Sequence, residues 1–361
     1  MKKHILLTLV LASLLSCIKT IDFDDEGFAN MVVVNSIIWP DSAFSATLLK
    51  SSSILEDRHV SELAAGTVDL YENGTLISHL GPASGLIRDP GIKPKAGNTY
   101  RIVVTANGQQ VEAETTIPLQ ADVVSVDTTN YKGNGLNHIY FKIKIKDAEG
   151  DDYYRLVIVH ENLVKYPAQN ENDTTRYFLH TYHEAMATDD PVFKSVYNNF
   201  GDEFIDNGPE NDSYIFPDTY FQGKEHTLQF YTSGLYANPA NPNLGGGYGG
   251  VYEGGYGGLE NNPNDSIYKN GPQQIYDRST IYIQHLSKDL YNYLKYIKLY
   301  FHYHDNPFSE PVPVYSNVKN GTGIFAGFND DTRFTFEKIY IPFSMDTITV
   351  EKDNYSNYYG Y

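Results

Sequence analysis

Gly66-Thr67-Val68-Asp69-Leu70-Tyr71-Glu72-Asn73-Gly74-Thr75-Leu76-Ile77-Ser78-His79-Leu80 decides the fold class. Its first half alternates apolar and polar residues with the period of a half-buried strand. Asn73-Gly74 follows, a pair that tolerates the positive φ angles of a tight hairpin turn, and residues 75–80 run back. The same pattern recurs on both sides. Residues 31–38 are β-branched and stop at Pro40-Asp41, and residues 44–49 partly alternate. Residues 99–105 and 110–117 flank Asn107-Gly108, and Pro118 closes the series. Short strands about ten residues apart, with turn residues between them, predict an immunoglobulin-like β-sandwich over residues 28–118.

A second β-rich domain is expected over residues 119–345. Residues 138–146 alternate strictly from Phe141, Asp147-Ala148-Glu149-Gly150-Asp151-Asp152 reads as a turn, and residues 153–159 return. That pattern predicts a hairpin. Further strands are expected at 226–232 and 279–286, with two closing strands in 323–343. Residues 165–225 and 237–272 read as long loop insertions. One amphipathic helix is expected near 287–303. Ser287 is its N-cap, Asp289 sits in the first turn, and Leu286, Leu290, Leu294, Ile297 and Phe301 recur at helical spacing. Asp305-Asn306-Pro307 should end it. The fold class is therefore mostly β: a sandwich, then a second β-rich domain with insertions and one helix. A tyrosine-rich tail, 346–361, follows.

The amino terminus carries a different signal. Lys2 and Lys3 precede an apolar run at residues 5–16, too short to span a bilayer. The run ends Leu14-Leu15-Ser16-Cys17, and Cys17 is the only cysteine of the 361 residues. This resembles a bacterial lipobox, which implies a signal peptide at 1–16 and a lipidated Cys17. Diacylglycerol with an amide-linked acyl chain such as palmitate would anchor the chain durably, at about 0.8 kcal/mol per buried CH₂. Residues 17–27 form an acidic tether. Within it, Asp22, Asp24, Asp25 and Glu26 resemble the surface-export signal of Bacteroidetes lipoproteins, and a solvated flexible tether explains the same charges. No other segment reaches about 18 consecutive apolar residues, so lipid is the expected membrane contact.

Removing residues 1–16 takes away Lys2 and Lys3 and no acid, leaving 25 basic against 45 acidic side chains and a net charge of −20. Such a chain is repelled by phosphate backbones, so nucleic acid is not an expected partner. The lone cysteine excludes intrachain disulfides and zinc held by several cysteines. Tyrosine is abundant at 31 residues, and it suits strands and half-wet contact surfaces.

Motifs that carry chemistry are sparse. Asp147, Glu149, Asp151 and Asp152 place hard oxygens close together and are weak calcium candidates. Their spacing departs from an EF-hand loop, and an acidic turn is the simpler reading. His302, His304 and Asp305 could offer metal ligands, but residues two apart on a helix diverge, and a helix end favours histidine through its dipole. No Gly-x-Ser-x-Gly elbow occurs. No cofactor and no metal are expected. Residues 245–258 repeat Gly-Gly-Tyr-Gly-Gly at an eight-residue offset. Tyr248, Tyr252 and Tyr256 there are candidate partner or ligand contacts on an exposed loop, against a low-complexity insertion.

Val33-Val34-Asn35-Ser36 after the acidic linker, Ala113-Glu114-Thr115-Thr116-Ile117-Pro118, Tyr153-Tyr154-Arg155, and the run Asn306-Pro307-Phe308-Ser309-Glu310-Pro311-Val312-Pro313-Val314-Tyr315-Ser316-Asn317-Val318-Lys319-Asn320-Gly321-Thr322-Gly323-Ile324-Phe325-Ala326-Gly327-Phe328 occur in that order. With them the chain resembles the Bacteroidetes lipoproteins catalogued as domain of unknown function 4249, from residue 17 to about 345. The last run is the most specific part. The resemblance implies an accessory of a TonB-dependent outer-membrane transporter and offers no catalytic residues. The expected function is a non-enzymatic, surface-exposed outer-membrane lipoprotein that binds such a transporter, a small nutrient ligand, or both. Its rivals are a stand-alone surface glycan-binding module and a hydrolase with an unrecognised site.

Overall fold

Alternating strands in the first third of the chain fold as two facing sheets. The computed structural model describes residues 30–52, 61–62, 66–83, 85–106, 108–133, 136–168, 174–197, 208–233, 273–304, 310–342 and 348–352. In one sheet β1 (Val32–Ile38) pairs with β2 (Phe44–Lys50), which also carries β3 (Ser61–Glu62) and β6 (Gly85–Asp89). Opposite lie β4 (Gly66–Glu72), β5 (Thr75–Ala83), β7 (Thr99–Ala106) and β8 (Gln109–Thr116), ordered β5-β4-β7-β8. At the β4–β5 turn, Asn73 has φ 49° and Gly74 φ 82°, the two positive angles that a type I′ turn requires. Val34, Phe44, Leu48, Leu70, Tyr100 and Ile102 fill the space between the sheets and are almost wholly buried.

The first sandwich is completed from far along the chain. β17 (Thr322–Asn329) runs parallel to β1, from Val33 opposite Thr322 to Ile38 opposite Gly327. Every residue from Ile324 to Asn329 is buried. An apolar run without alternation is what a strand buried on both faces requires. Phe325 enters the core of the first sandwich, while Ile324, Ala326 and Phe328 enter the second core. Asn317 fixes the approach. Its Nδ2 donates to the Phe325 carbonyl at 2.7 Å and its Oδ1 accepts from the Phe325 N–H at 3.0 Å.

The second sandwich faces β9 (Asp122–Gly133), β10 (Leu136–Lys146), β13 (Met186–Ala187) and β15 (Glu225–Ser233), ordered β13-β15-β10-β9, against a longer sheet. That sheet orders β19 (Val350–Lys352), β12 (Arg176–His183), β11 (Tyr153–Tyr166) and β16 (Gln273–Leu286), with β14 (Ile215–Pro217) on β11 and β18 (Arg333–Ile339) on β16. Phe141 and Phe230 stack at 5.1 Å, and Phe336 meets Phe141 edge-on across the core at 5.4 Å. Two helices are described. α1 (Pro191–Lys194) is capped by Asp190. α2 (Lys288–Tyr303) is capped by Ser287, whose side chain accepts from the Leu290 N–H. α2 is the expected helix, and it lies against β17. The Ser287 N–H donates to the Gly327 carbonyl at 2.8 Å.

Two expectations are corrected. Residues 147–152 do not close a hairpin: β10 pairs with β9 and β15, whereas β11 pairs with β12, β14 and β16. The turn crosses between sheets, because Phe141, Ile143 and Ile145 must meet Leu156 and Ile158 across the core rather than beside them. Residues 165–225 are not simply an irregular insertion. They supply β12, β13, α1 and β14, and bury Val192, Phe193, Ile215, Phe216 and Phe221 in the second core. Acidic and amide residues between these apolar ones mask their periodicity in the sequence.

Candidate functional site

The inter-sheet turn and the segment after β14 meet at a carboxylate cluster. Asp147, Asp152 and Asp218 each bring one oxygen to within 4.8 Å of the others. Asp147 immediately follows β10 and is only 4 % exposed. Its Oδ1 accepts from the Tyr154 hydroxyl at 2.7 Å, and its Oδ2 accepts from the Gly223 N–H at 2.9 Å. Asp152 immediately precedes β11, and its Oδ1 lies 3.0 Å from His285 Nε2. The other ring nitrogen of His285 lies 2.9 Å from the Leu119 carbonyl, in the link between the sandwiches. Asp218 opens a 3-10 turn, Asp218–Tyr220. Its N–H donates to the Asp152 carbonyl at 3.0 Å, which locks the two segments together.

Asp218 differs from its neighbours. It is 4 % exposed, and its Oδ2 is buried with no hydrogen-bond partner. Burial, opposed by a backbone hydrogen bond at Asp152 and reinforced by the charges of Asp147, Asp152 and Asp151, pushes its carboxyl up to about 6. Burial, and then the bond to Asp147, hold the Tyr154 phenol well above its ordinary value. The Tyr154 ring stacks on His285 at 4.8 Å and on Phe216 at 5.5 Å, so the wall of the cluster is rigid.

A second polar cluster continues the core-facing side of the long sheet. His160 Nδ1 lies 2.9 Å from Ser279 Oγ, and His160 Nε2 lies 3.4 Å from Asp277 Oδ1. Tyr340 donates to Asp277 Oδ2 at 3.0 Å, and the Tyr182 ring packs against His160 at 4.8 Å. The residues resemble a nucleophilic triad, but Ser279 is 1 % exposed and the imidazole is reversed, with Nδ1 toward the serine. On the opposite side of this sheet lies a groove of about 350 Å³. Arg278 bridges it to Glu161 at 3.4 Å and Glu337 at 3.3 Å. Both acids pair with the terminal nitrogens of Arg278, whose Nε is buried without a partner.

The four weak calcium candidates are divided by the fold. Asp147 and Asp152 come together, whereas Glu149 and Asp151 are exposed at the tip of the turn. Asp218 was missed, since nothing local in its sequence points to a partner in a turn dozens of residues earlier. His302 and His304 are exposed at the end of α2. Cys17, Asp22, Asp24, Asp25 and Glu26 lie outside the described residues, as do Tyr248, Tyr252 and Tyr256. No helix among the described residues is long and apolar enough to cross a membrane.

Comparison with known families matches residues 18–333 to the model described as domain of unknown function (DUF4249). The chain belongs to the DUF4249 family. The DUF4249 match spans the first sandwich, all three clustered carboxylates, α2 and the β17 strand that joins the two cores. No curated protein matches the chain.

Proposed function

We propose that this chain is a surface-exposed outer-membrane lipoprotein that acts without catalysis, as an accessory or ligand-binding partner of a TonB-dependent transporter. The observation that carries the reading is the start of the family match, residue 18, directly after Cys17. A family body that begins directly after Cys17 supports a leader ending at Ser16 and a lipid on Cys17. The architecture agrees with a binding role. Two sandwiches share one strand and form a stiff scaffold, from which aromatic side chains such as Tyr220 and Phe301 project into solvent. Aromatic residues are enriched where proteins meet partners. The burial of Ser279 speaks against a hydrolase that uses this serine as its nucleophile.

The test is capture from detergent-solubilised outer membranes, with the full lipidated chain as bait. A TonB-dependent transporter should co-purify in near-stoichiometric amount. Absence of any such transporter, or fractionation of the bait with soluble periplasmic proteins, overturns the reading.

A further inference from the structure

We infer that Asp147, Asp152 and Asp218 form a binding site for a hard divalent cation, and that the cation is calcium. The cluster alone would not carry this, because acidic turns are common on solvated surfaces. What points to a ligand is Asp218, a side chain more than nine-tenths buried, aimed into the cluster, with Oδ2 unpartnered. A buried carboxylate oxygen without a donor is costly, and proteins satisfy such atoms with hydrogen bonds, counter-charges or metals.

The same protein shows how it treats a buried acid that is merely structural. Asp190, 6 % exposed, accepts from the N–H groups of Val192 and Gln229, and His226 Nε2 stands 3.2 Å from each of its oxygens. Asp218 has only a backbone hydrogen bond at Asp152 to favour its charge, leaves Oδ2 without a partner, and faces two further carboxylates. His285 and Tyr154 engage the outer partners, Asp152 and Asp147, and so hold those carboxylates in place.

Size also fits. Three oxygens separated by no more than 4.8 Å share a point within about 2.8 Å of each, close to the 2.3–2.6 Å at which calcium takes oxygen ligands. Magnesium needs near-ideal octahedral contacts at about 2.0–2.1 Å and gives up its waters reluctantly, so three carboxylates held by packed segments suit the tolerant shell of calcium better. Water would complete the shell of calcium, whose geometry is tolerant. An ion there would tie the inter-sheet turn to the 3-10 turn, which now meet through the backbone bond from the Asp218 N–H to the Asp152 carbonyl.

Terbium luminescence and thermal unfolding of the full chain, stripped with EGTA, test the site. Tyr154 bonds a ligand carboxylate directly, so exciting tyrosine should sensitise terbium emission, and calcium should displace it at least tenfold more effectively than magnesium. Calcium a hundredfold above its dissociation constant should raise Tm by roughly 5–10 °C. Asp218→Asn and Asp152→Asn should each lose both responses. In EGTA, Asp218→Asn should be at least as stable as the parent, since it removes a buried charge that faces two other carboxylates and leaves Oδ2 without a partner. Glu149→Gln and Asp151→Asn, at the exposed tip, should keep both responses. The site is disproved if the parent chain shows neither response, or if both ligand variants retain them. Loss of the responses in the tip variants instead would assign binding to the exposed turn, and magnesium acting as strongly as calcium would overturn the choice of ion.

Discussion

Gly323 offers the sharpest test of how the two sandwiches are joined. It lies in β17 opposite Val34 of β1, with φ +111°. A Cβ placed there would stand 2.2 Å from the Val34 carbonyl oxygen and 2.9 Å from Asn35 Oδ1. The first contact is with backbone, so no side-chain rotation relieves it, and the strand must move off β1. Left-handed strain costs about 1–3 kcal/mol, and forced overpacking a further 1–3 kcal/mol, so Gly323→Ala should destabilise by about 2–6 kcal/mol. Gly74→Ala is the control. Its φ is +82°, but nothing lies within 4 Å of the added carbon, so only the strain of about 1 kcal/mol remains. The only tryptophan supplies the assay, because Trp39 follows β1 and stacks on Phe328 of β17 at 5.4 Å. Urea unfolding followed by Trp39 fluorescence therefore reads the docking of β17 itself. If Gly323→Ala falls within 1 kcal/mol of Gly74→Ala, the close approach of β17 to β1 does not hold the molecule together and the reasoning fails.

Other outcomes follow from the same structure and sequence. Cys17→Ala should release the chain from membranes in a carbonate wash, and alanine at Asp24, Asp25 and Glu26 should shield it from protease added to intact cells; retention, or unchanged digestion, removes the anchoring or the export role respectively. Deleting residues 245–258, nine of whose fourteen residues are glycine, should shift Tm by only a few degrees yet weaken transporter capture; a collapse in stability would mean that Tyr248, Tyr252 and Tyr256 are packed. The buried tyrosines set an alkaline limit. Burial and then the bond to Glu72 push Tyr100 up to about 12, and burial raises Tyr197 and Tyr291 as well. A phenol whose folded pKa exceeds its unfolded value of about 10 gives stability that is full below pH 10 and is lost as pH climbs through the folded value, about 2–3 kcal/mol at most for Tyr100. Phenolate absorbance and circular dichroism should then change together above pH 10, and Tyr100→Phe should reduce the loss; ordinary titration near pH 10 in a still-folded chain would contradict this.

Local chemistry was legible in the sequence where local chemistry decides. Asn73-Gly74 takes the expected turn, and Ser287 caps α2 as expected. Partners were not legible. The apolar run at 324–328 marks a buried strand, but nothing in it names β1, almost three hundred residues earlier, as its neighbour. The turn at 147–152 illustrates the same limit. Two alternating strands around a short acidic link fit a hairpin and a crossing between sheets equally well, and the choice depends on which faces bury each other. The carboxylate site inherits that ambiguity. A hairpin tip would have pointed all four acids at water, whereas the crossing turns Asp147 and Asp152 inward, toward Asp218.

The joint between the sandwiches gives the carboxylate cluster its reach. The link at residues 118–121 is held by side chains from the second body: Asn329 donates to the Pro118 carbonyl at 3.2 Å, Thr332 to the Ala121 carbonyl at 2.7 Å, and His285 Nδ1 lies 2.9 Å from the Leu119 carbonyl. Of these three, only His285 also contacts the cluster, through Asp152. A cation drawing the Asp152 carboxylate toward Asp147 and Asp218 would therefore pull on the imidazole that clasps the link. Binding there would stiffen the joint as well as the turn, because a packed ring and two hydrogen bonds leave His285 little freedom to absorb the change. A scaffold that presents contact loops gains from such rigidity, since a loop positioned by a stiff body loses less freedom when its partner arrives.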